Sequence, residues 1–260
     1  MVRRLTVTRY VTPLRQGSSL PAIVEADDGA LYVMKFIGAG QGGKSLIAEL
    51  LAGEIGHALG LPIPELVLLD LPAELGSSEP DAEIHDLLRA SVGLNLGMRF
   101  LPNAFGYDVL LQPPPPADLA SRVVWFDAYV TNVDRTPANV NILVWQGNLW
   151  LIDHGAALYF HYRWINHREH SRTSFPRIRD HVLIVYASAM TDADAALRPL
   201  ITDALIDELT ASIPEEWLLR PPASDTPDAR RRVYAEYLRG RRDAADDFVK
   251  EAADAHARAV

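Results

Sequence analysis

Asp134 and Asn139 stand five residues apart in Asn132-Val-Asp134-Arg135-Thr-Pro-Ala-Asn139. A second aspartate, Asp153, ends an apolar run in Leu151-Ile152-Asp153-His154-Gly155, nineteen residues after Asp134. A carboxylate at a strand end and an asparagine carbonyl are hard oxygen donors, suited to a divalent cation such as Mg²⁺. The other carboxylate can accept the proton of a hydroxyl or orient it. Far upstream, Lys35 lies mid-strand in Tyr32-Val-Met-Lys35-Phe36, so its ammonium either snorkels to water or points at something negative. Glu49, on the helix expected after that strand, can pair with Lys35, with Glu54 a competitor on a different face. A lysine for a polyanion, oxygen ligands for metal and a carboxylate for a hydroxyl are together what phosphoryl transfer requires. Singly, each has an ordinary explanation as an edge-strand lysine, a solvated helix glutamate or a polar turn.

The elements that must position these residues follow from pattern. Strands are expected at 5–12, 22–26 and 31–37, with Asp28-Gly29 as a hairpin turn. A glycine-rich loop, Gly38 to Gly43, precedes a helix expected from Ser45, as N-cap, to Leu59. Strands at 65–71 and 94–101 close the first part. Pro113 to Pro116 is a stiff boundary, followed by a helix over 118–130, a hairpin of strands 141–145 and 148–152, and a mostly helical remainder ending in one charged helix. The expected fold is α+β: a bilobal, protein-kinase-like arrangement with a β-rich N-lobe holding one helix (1–112) and a mostly helical C-lobe (117–260). The catalytic-loop spacing of Asp134 and Asn139, and the later Asp153 across a short hairpin, agree with that order.

Composition narrows the functions. The 260 residues carry no cysteine, which removes disulfides, thiolate zinc sites and cysteine nucleophiles. A net charge of −9 argues against direct nucleic-acid binding. No apolar run is long enough for a membrane span, and a cytoplasmic location is expected.

One rival reading is complete as a motif. Gly38-Ala-Gly-Gln-Gly-Gly43-Lys44-Ser45 matches the P-loop pattern between a strand and a helix. P-loop strands, however, are central in parallel sheets and continuously apolar. Here Lys35 interrupts the strand, the Asp28-Gly29 hairpin makes its neighbour antiparallel, and Asp134 and Asn139 would go unexplained. A kinase-fold binding module without activity is a third class, which the retained Lys35, Asp134, Asn139 and Asp153 oppose.

Asn132 to Asn139 with Ile152-Asp153-His154-Gly155 resembles the HipA-like serine/threonine kinases, and is similar to motifs of phosphatidylinositol kinases that share the kinase-like fold. The segment Glu49 to Pro64 resembles the family's helix with its Leu-Gly-hydrophobic-x-Pro exit. The resemblance covers roughly residues 10–190, in a compact form lacking the extra N-terminal subdomain of longer relatives. It implies ATP and Mg²⁺ as cofactors. It implies Lys35 as the phosphate lysine with Glu49 as partner, and Asp134, with Arg135 beside it, as the catalytic pair. Asn139 and Asp153 are then the metal ligands. Ser18 and Ser19 lie where relatives carry a phosphate-binding loop with a regulatory serine. Thr136 and His154 depart from the commoner residues of kinases at their positions. The implied acceptor is a serine or threonine of a protein, with a small molecule or lipid headgroup as runner-up; an antitoxin-like regulator is a possible partner. The stretch His161 to Arg172 would hold the activation segment, with Ser171, Thr173 and Ser174 as phosphorylation candidates, and Arg230–Arg232 and Arg239–Arg242 read as solvated faces.

Overall fold

The computed structural model describes residues 2–14, 20–76, 80–110, 112–164, 166–219 and 225–260. The loop serines Ser18 and Ser19 fall outside these.

The first lobe is a closed five-stranded barrel. Its strands are β1 (Arg3–Pro13), β2 (Ala22–Ala26), β3 (Leu31–Lys35), β4 (Leu66–Leu71) and β5 (Gly93–Arg99). They run in the order β1-β2-β3-β5-β4, and β4 returns to pair with β1 in parallel. All other pairs are antiparallel. Alternation decides the faces. Tyr32 and Met34 turn into the barrel with Val7, Val24 and Leu69, so Lys35 faces the other way. Gly29, with φ 76°, makes the expected turn between β2 and β3.

Helix α1 (Gly43–Ala58) crosses outside the barrel and is buried along most of its length. Leu46, Leu50, Leu51 and Ile55 share one core with Val123 and Phe126 of α3 (Ala117–Tyr129). A side chain at Gly56 would strike Ile63, which is how α1 comes so close to its own exit segment. The helix starts earlier than expected: Gly42, at φ 56°, precedes it without a side-chain cap, and Ser45 lies in the first turn. A second helix of this lobe, α2 (Ala82–Ala90), is capped by Asp81, whose carboxylate accepts from the amides of Glu83 and Ile84. It packs Ile84 and Leu88 on the barrel core.

The second half holds a three-stranded antiparallel sheet, β6 (Phe105–Gly106), β7 (Ile142–Trp145) and β8 (Asn148–Leu151). Two-residue β6 was not expected. The rest is helical: α4 (His167–His170), α5 (Met190–Leu197), α6 (Asp203–Ala211), α7 (Glu215–Leu218), α8 (Pro227–Asp243) and α9 (Ala245–Ala259). The expected single final helix is broken at Ala244 into α8 and α9. The arginines there are not simply solvated. Arg241 is buried and donates to the carbonyls of Ala128 and Tyr129 in the last turn of α3, and to that of Thr173. Arg230 and Arg231 donate to the carbonyls of Leu218 and Ile213. Among the described residues, no helix is long and apolar enough to cross a membrane.

Candidate active site

Three elements bring the upstream and downstream residues together. Lys35 ends β3, Glu49 lies on the buried run of α1, and Asp153 follows β8. Lys35 Nζ donates to Glu49 Oε2 at 2.7 Å and to Asp153 Oδ1 at 2.6 Å. The Glu49 side chain is 1% exposed, whereas that of Asp153 is 48% exposed. Burial disfavours the Lys35 ammonium, but the charges of Glu49 and Asp153 outweigh it and raise its pKa. Burial likewise opposes the Glu49 carboxylate, and the Lys35 charge overcomes it, holding the group well below the usual range. The competitor Glu54 is engaged elsewhere, with His57 at 3.0 Å.

Asp153 has φ 55°, in the left-handed region. Aspartate tolerates this better than most residues, and it turns the chain sharply after β8. Gly155 allows the next close approach: a Cβ there would lie 2.6 Å from Ser45 Oγ of α1.

The loop after α3 supplies the other pair. Asn139 Nδ2 donates to Asp134 Oδ2 at 2.7 Å. The loop is closed by mutual backbone bonds between Thr136 and Asn139 and by the Asp134 amide donating to Asn132 Oδ1 at 3.1 Å. Partial burial raises the Asp134 pKa, the Asn139 amide opposes this, and the nearby Asp153 charge adds to the rise. Two carboxylates that repel one another across a half-open cleft, beside an asparagine amide, form an oxygen-donor set that a hard divalent cation would relieve. The residues present therefore fit Mg²⁺ or a similar ion. Asn141, the near alternative to Asn139, stays in play: its side chain also lies at Asp134 and favours that carboxylate, while its backbone, at φ 50°, offers its carbonyl to Arg135.

Arg135 corrects the expectation of a catalytic role. Its side chain is buried, and Nε donates to Asp127 Oδ2 at 2.6 Å. It also donates to the carbonyls of Asn141 and Ile152. It thus ties the Asp134 loop to the strand that delivers Asp153 and touches nothing in the cleft. Asp127, on α3, is the centre of this node. It accepts from Asn132 Nδ2 at 3.0 Å and from His181 Nε2 at 2.9 Å. His181 Nδ1 accepts from the Leu183 amide, which fixes the proton on Nε2. Asp127 and His181 were not foreseen. A lone carboxylate in Trp125-Phe126-Asp127-Ala128-Tyr129, an otherwise apolar helical run, was the available signal.

The remaining sequence candidates separate. The strand before Gly38–Ser45 is antiparallel to both neighbours, so the P-loop context is missing. Gly43 serves packing, since a Cβ there would meet the Trp217 carbonyl at 2.5 Å, and Lys44 lies over the Tyr162 ring. Ser171 is buried against Gly240 and donates to the Arg168 carbonyl at 2.8 Å. It is therefore no accessible acceptor, whereas Thr173 and Ser174 are exposed. His161 and His167, in the same stretch, bond Tyr234 and Glu236, respectively.

Comparison with known proteins bears on the family and the fold. A family model described as HipA-like kinase matches residues 7–248. A proinflammatory kinase of Helicobacter pylori, CtkA, superposes with a TM-score of 0.57 at 12% identity, covering 100% of this chain and 98% of that one. A Golgi casein kinase solved with Mn/ADP bound superposes with a TM-score of 0.53 at 10% identity, covering 96% of this chain and 73% of that one. Curated proteins gave no match.

Proposed function

This chain belongs to the HipA-like kinase family and is a phosphotransferase, and from that premise we propose that it transfers the γ-phosphate of ATP, with Mg²⁺, to a serine or threonine hydroxyl of a protein. The observation that carries the reading is Lys35 bonded at once to Glu49 and Asp153, beside the Asp134–Asn139 pair. Lys35 holds the phosphates as a point charge, and Glu49 keeps its ammonium in place. Asp134 orients the acceptor hydroxyl and takes up its proton as the bond to phosphorus forms; its raised pKa suits that task. Asn139 and Asp153 would hold the metal, which when bound neutralises charge between the phosphates. A fold relative solved with Mn/ADP supports a nucleotide and a divalent ion.

The protein acceptor is supported by family membership, and a small-molecule or lipid hydroxyl is the competing acceptor. The test is transfer from labelled ATP in the presence of Mg²⁺, comparing wild type with Asp134→Asn, together with a phosphoproteomic comparison of cells expressing each. Phosphopeptides lost in the variant identify the acceptor. Transfer undiminished in Asp134→Asn would remove the assignment, and ATP binding lost in Lys44→Ala but retained in Lys35→Ala would restore the P-loop reading.

A further inference from the structure

Glu49 is buried, yet only one of its oxygens is hydrogen-bonded. Oε2 accepts from Lys35, while Oε1 has no hydrogen-bond partner. Facing Oε1 is Nδ1 of His154, 3.6 Å away. That ring is also out of solvent, and neither of its nitrogens has a hydrogen bond. Unpaired buried polar atoms are uncommon because each loses its hydration without return. Two of them lying face to face, just beyond hydrogen-bond length, point to an interaction that closes with a small shift. Hydrogen bonds of working sites are often long before the reactants bind.

The surroundings hold the two groups in register. A Cβ on Gly155 would sit 2.6 Å from Ser45 Oγ and 3.5 Å from Glu49 Oε2, so the turn after Asp153 is pressed onto α1. Phe126 meets the imidazole edge-on, with ring centroids 5.7 Å apart. The His154 carbonyl accepts from the Ala157 amide at 2.9 Å. Chemistry then selects the tautomer. A proton on Nδ1 faces the carboxylate and leaves only a lone pair unpaired at Nε2. A proton on Nε2 would aim a lone pair at a carboxylate oxygen and bury an orphaned N–H, the costlier arrangement.

We propose that His154 is a positioning residue: its Nδ1–H closes onto Glu49 Oε1, so that Glu49 holds Lys35 from a carboxylate bonded at both oxygens. This rests on the reading of Lys35 and Glu49 given above. The need arises because Lys35 also bonds Asp153. Once Lys35 serves phosphate and Asp153 serves metal, Glu49 must keep its rotamer with a weaker hold from Lys35. An apolar residue at 154 would leave Oε1 without a partner.

Two measurements test this. Long-range ¹H–¹⁵N correlation spectra of the intact protein report the His154 tautomer directly. The Nδ1–H form is expected, with resonances that shift in Glu49→Gln; an Nε2–H ring indifferent to that substitution overturns the proposal. In the kinetics, His154→Phe and His154→Gln lower kcat/KM for ATP about tenfold, the scale of one hydrogen bond to a charged group. His154→Asn recovers most of that loss, because its amide nitrogen takes the place of Nδ1 whereas that of Gln falls near Nε2. In a Glu49→Ala background, His154→Phe adds nothing. Full activity in His154→Phe, or equal activity of the Asn and Gln variants, also overturns it. Thermal unfolding of each variant separates misfolding from mispositioning. If the wild type transfers no phosphate, the function proposed above fails, while the spectra still decide the His154–Glu49 bond.

Discussion

Two charge clusters lie on either side of the Asp134 loop, and they are built on opposite rules. At the Asp127 node, one carboxylate meets one guanidinium and a neutral imidazole, with side chains 0–3% exposed and the charges balanced. At the cleft, the single ammonium of Lys35 bonds two carboxylates, Glu49 and Asp153, the charge of Asp153 acts on a third, Asp134, and exposure rises to 48% at Asp153. The node is finished within the protein. The cleft is left anionic, and its balance must come from outside. The difference separates the cluster that holds the loop in shape from the one proposed to do chemistry, although both contain Asp and a cation at similar distances.

The sharpest way to break that contrast is Asp127→Ala. It leaves the buried Arg135 guanidinium without its counter-charge, and a loss of about 3–5 kcal/mol in unfolding free energy is expected from denaturant titration. Asp153→Ala should do the reverse. Transfer from ATP falls on the order of 10²–10³-fold, while the denaturation midpoint moves little because Lys35 keeps Glu49.

An acid titration sharpens the contrast further. Burial pushes the His161 pKa down to about 3, with the Lys44 charge adding to it. The unfolded chain protonates this residue near the ordinary value of about 6.5, so His161 contributes stability above that pH. The contribution is lost progressively as pH falls from about 6.5 toward 3. Unfolding free energy measured at pH 7 and pH 5 should therefore differ, and His161→Gln should narrow the gap. The smallest effect belongs to the surface. Lys250→Ala breaks an exposed pair with Asp254 one helical turn on and should leave the denaturation midpoint almost unchanged.

The cleft was more legible in the sequence than the node. Asp134, Asn139 and Asp153 announce themselves because metal and hydroxyl chemistry demand those residue types at short, regular spacing. Lys35 stands out as a charge in an apolar strand. Arg135 was misplaced because nothing local says which way a side chain turns. What draws it inward is Asp127 on the preceding helix, joined by His181 far along the chain. Arg241 shows the same limit with a recoverable signal. Tyr234, Tyr237, Leu238 and Arg241 share one helical face, and all four are buried. The short strand β6 and the helix α2 escaped because two residues carry no periodicity and because α2's acidic exposed face resembles a loop. The barrel strands were readable from alternation, but their closure into a barrel was not. Pairing partners distant in sequence leave no local trace.

That closure has a consequence for how the chain acquires its shape. Strand β1 pairs with β2, its neighbour in sequence, but its other edge is satisfied only by β4, across register pairs such as Arg3 with Val67 and Thr6 with Asp70. Until α1 and β4 have been laid down, β1 offers an open row of backbone donors and acceptors. Contacts of such sequence separation are slow to form, and the waiting edge is a template for pairing with other chains. The period of greatest risk for this protein is therefore early in its folding, before the lobe that holds Lys35 has closed on itself.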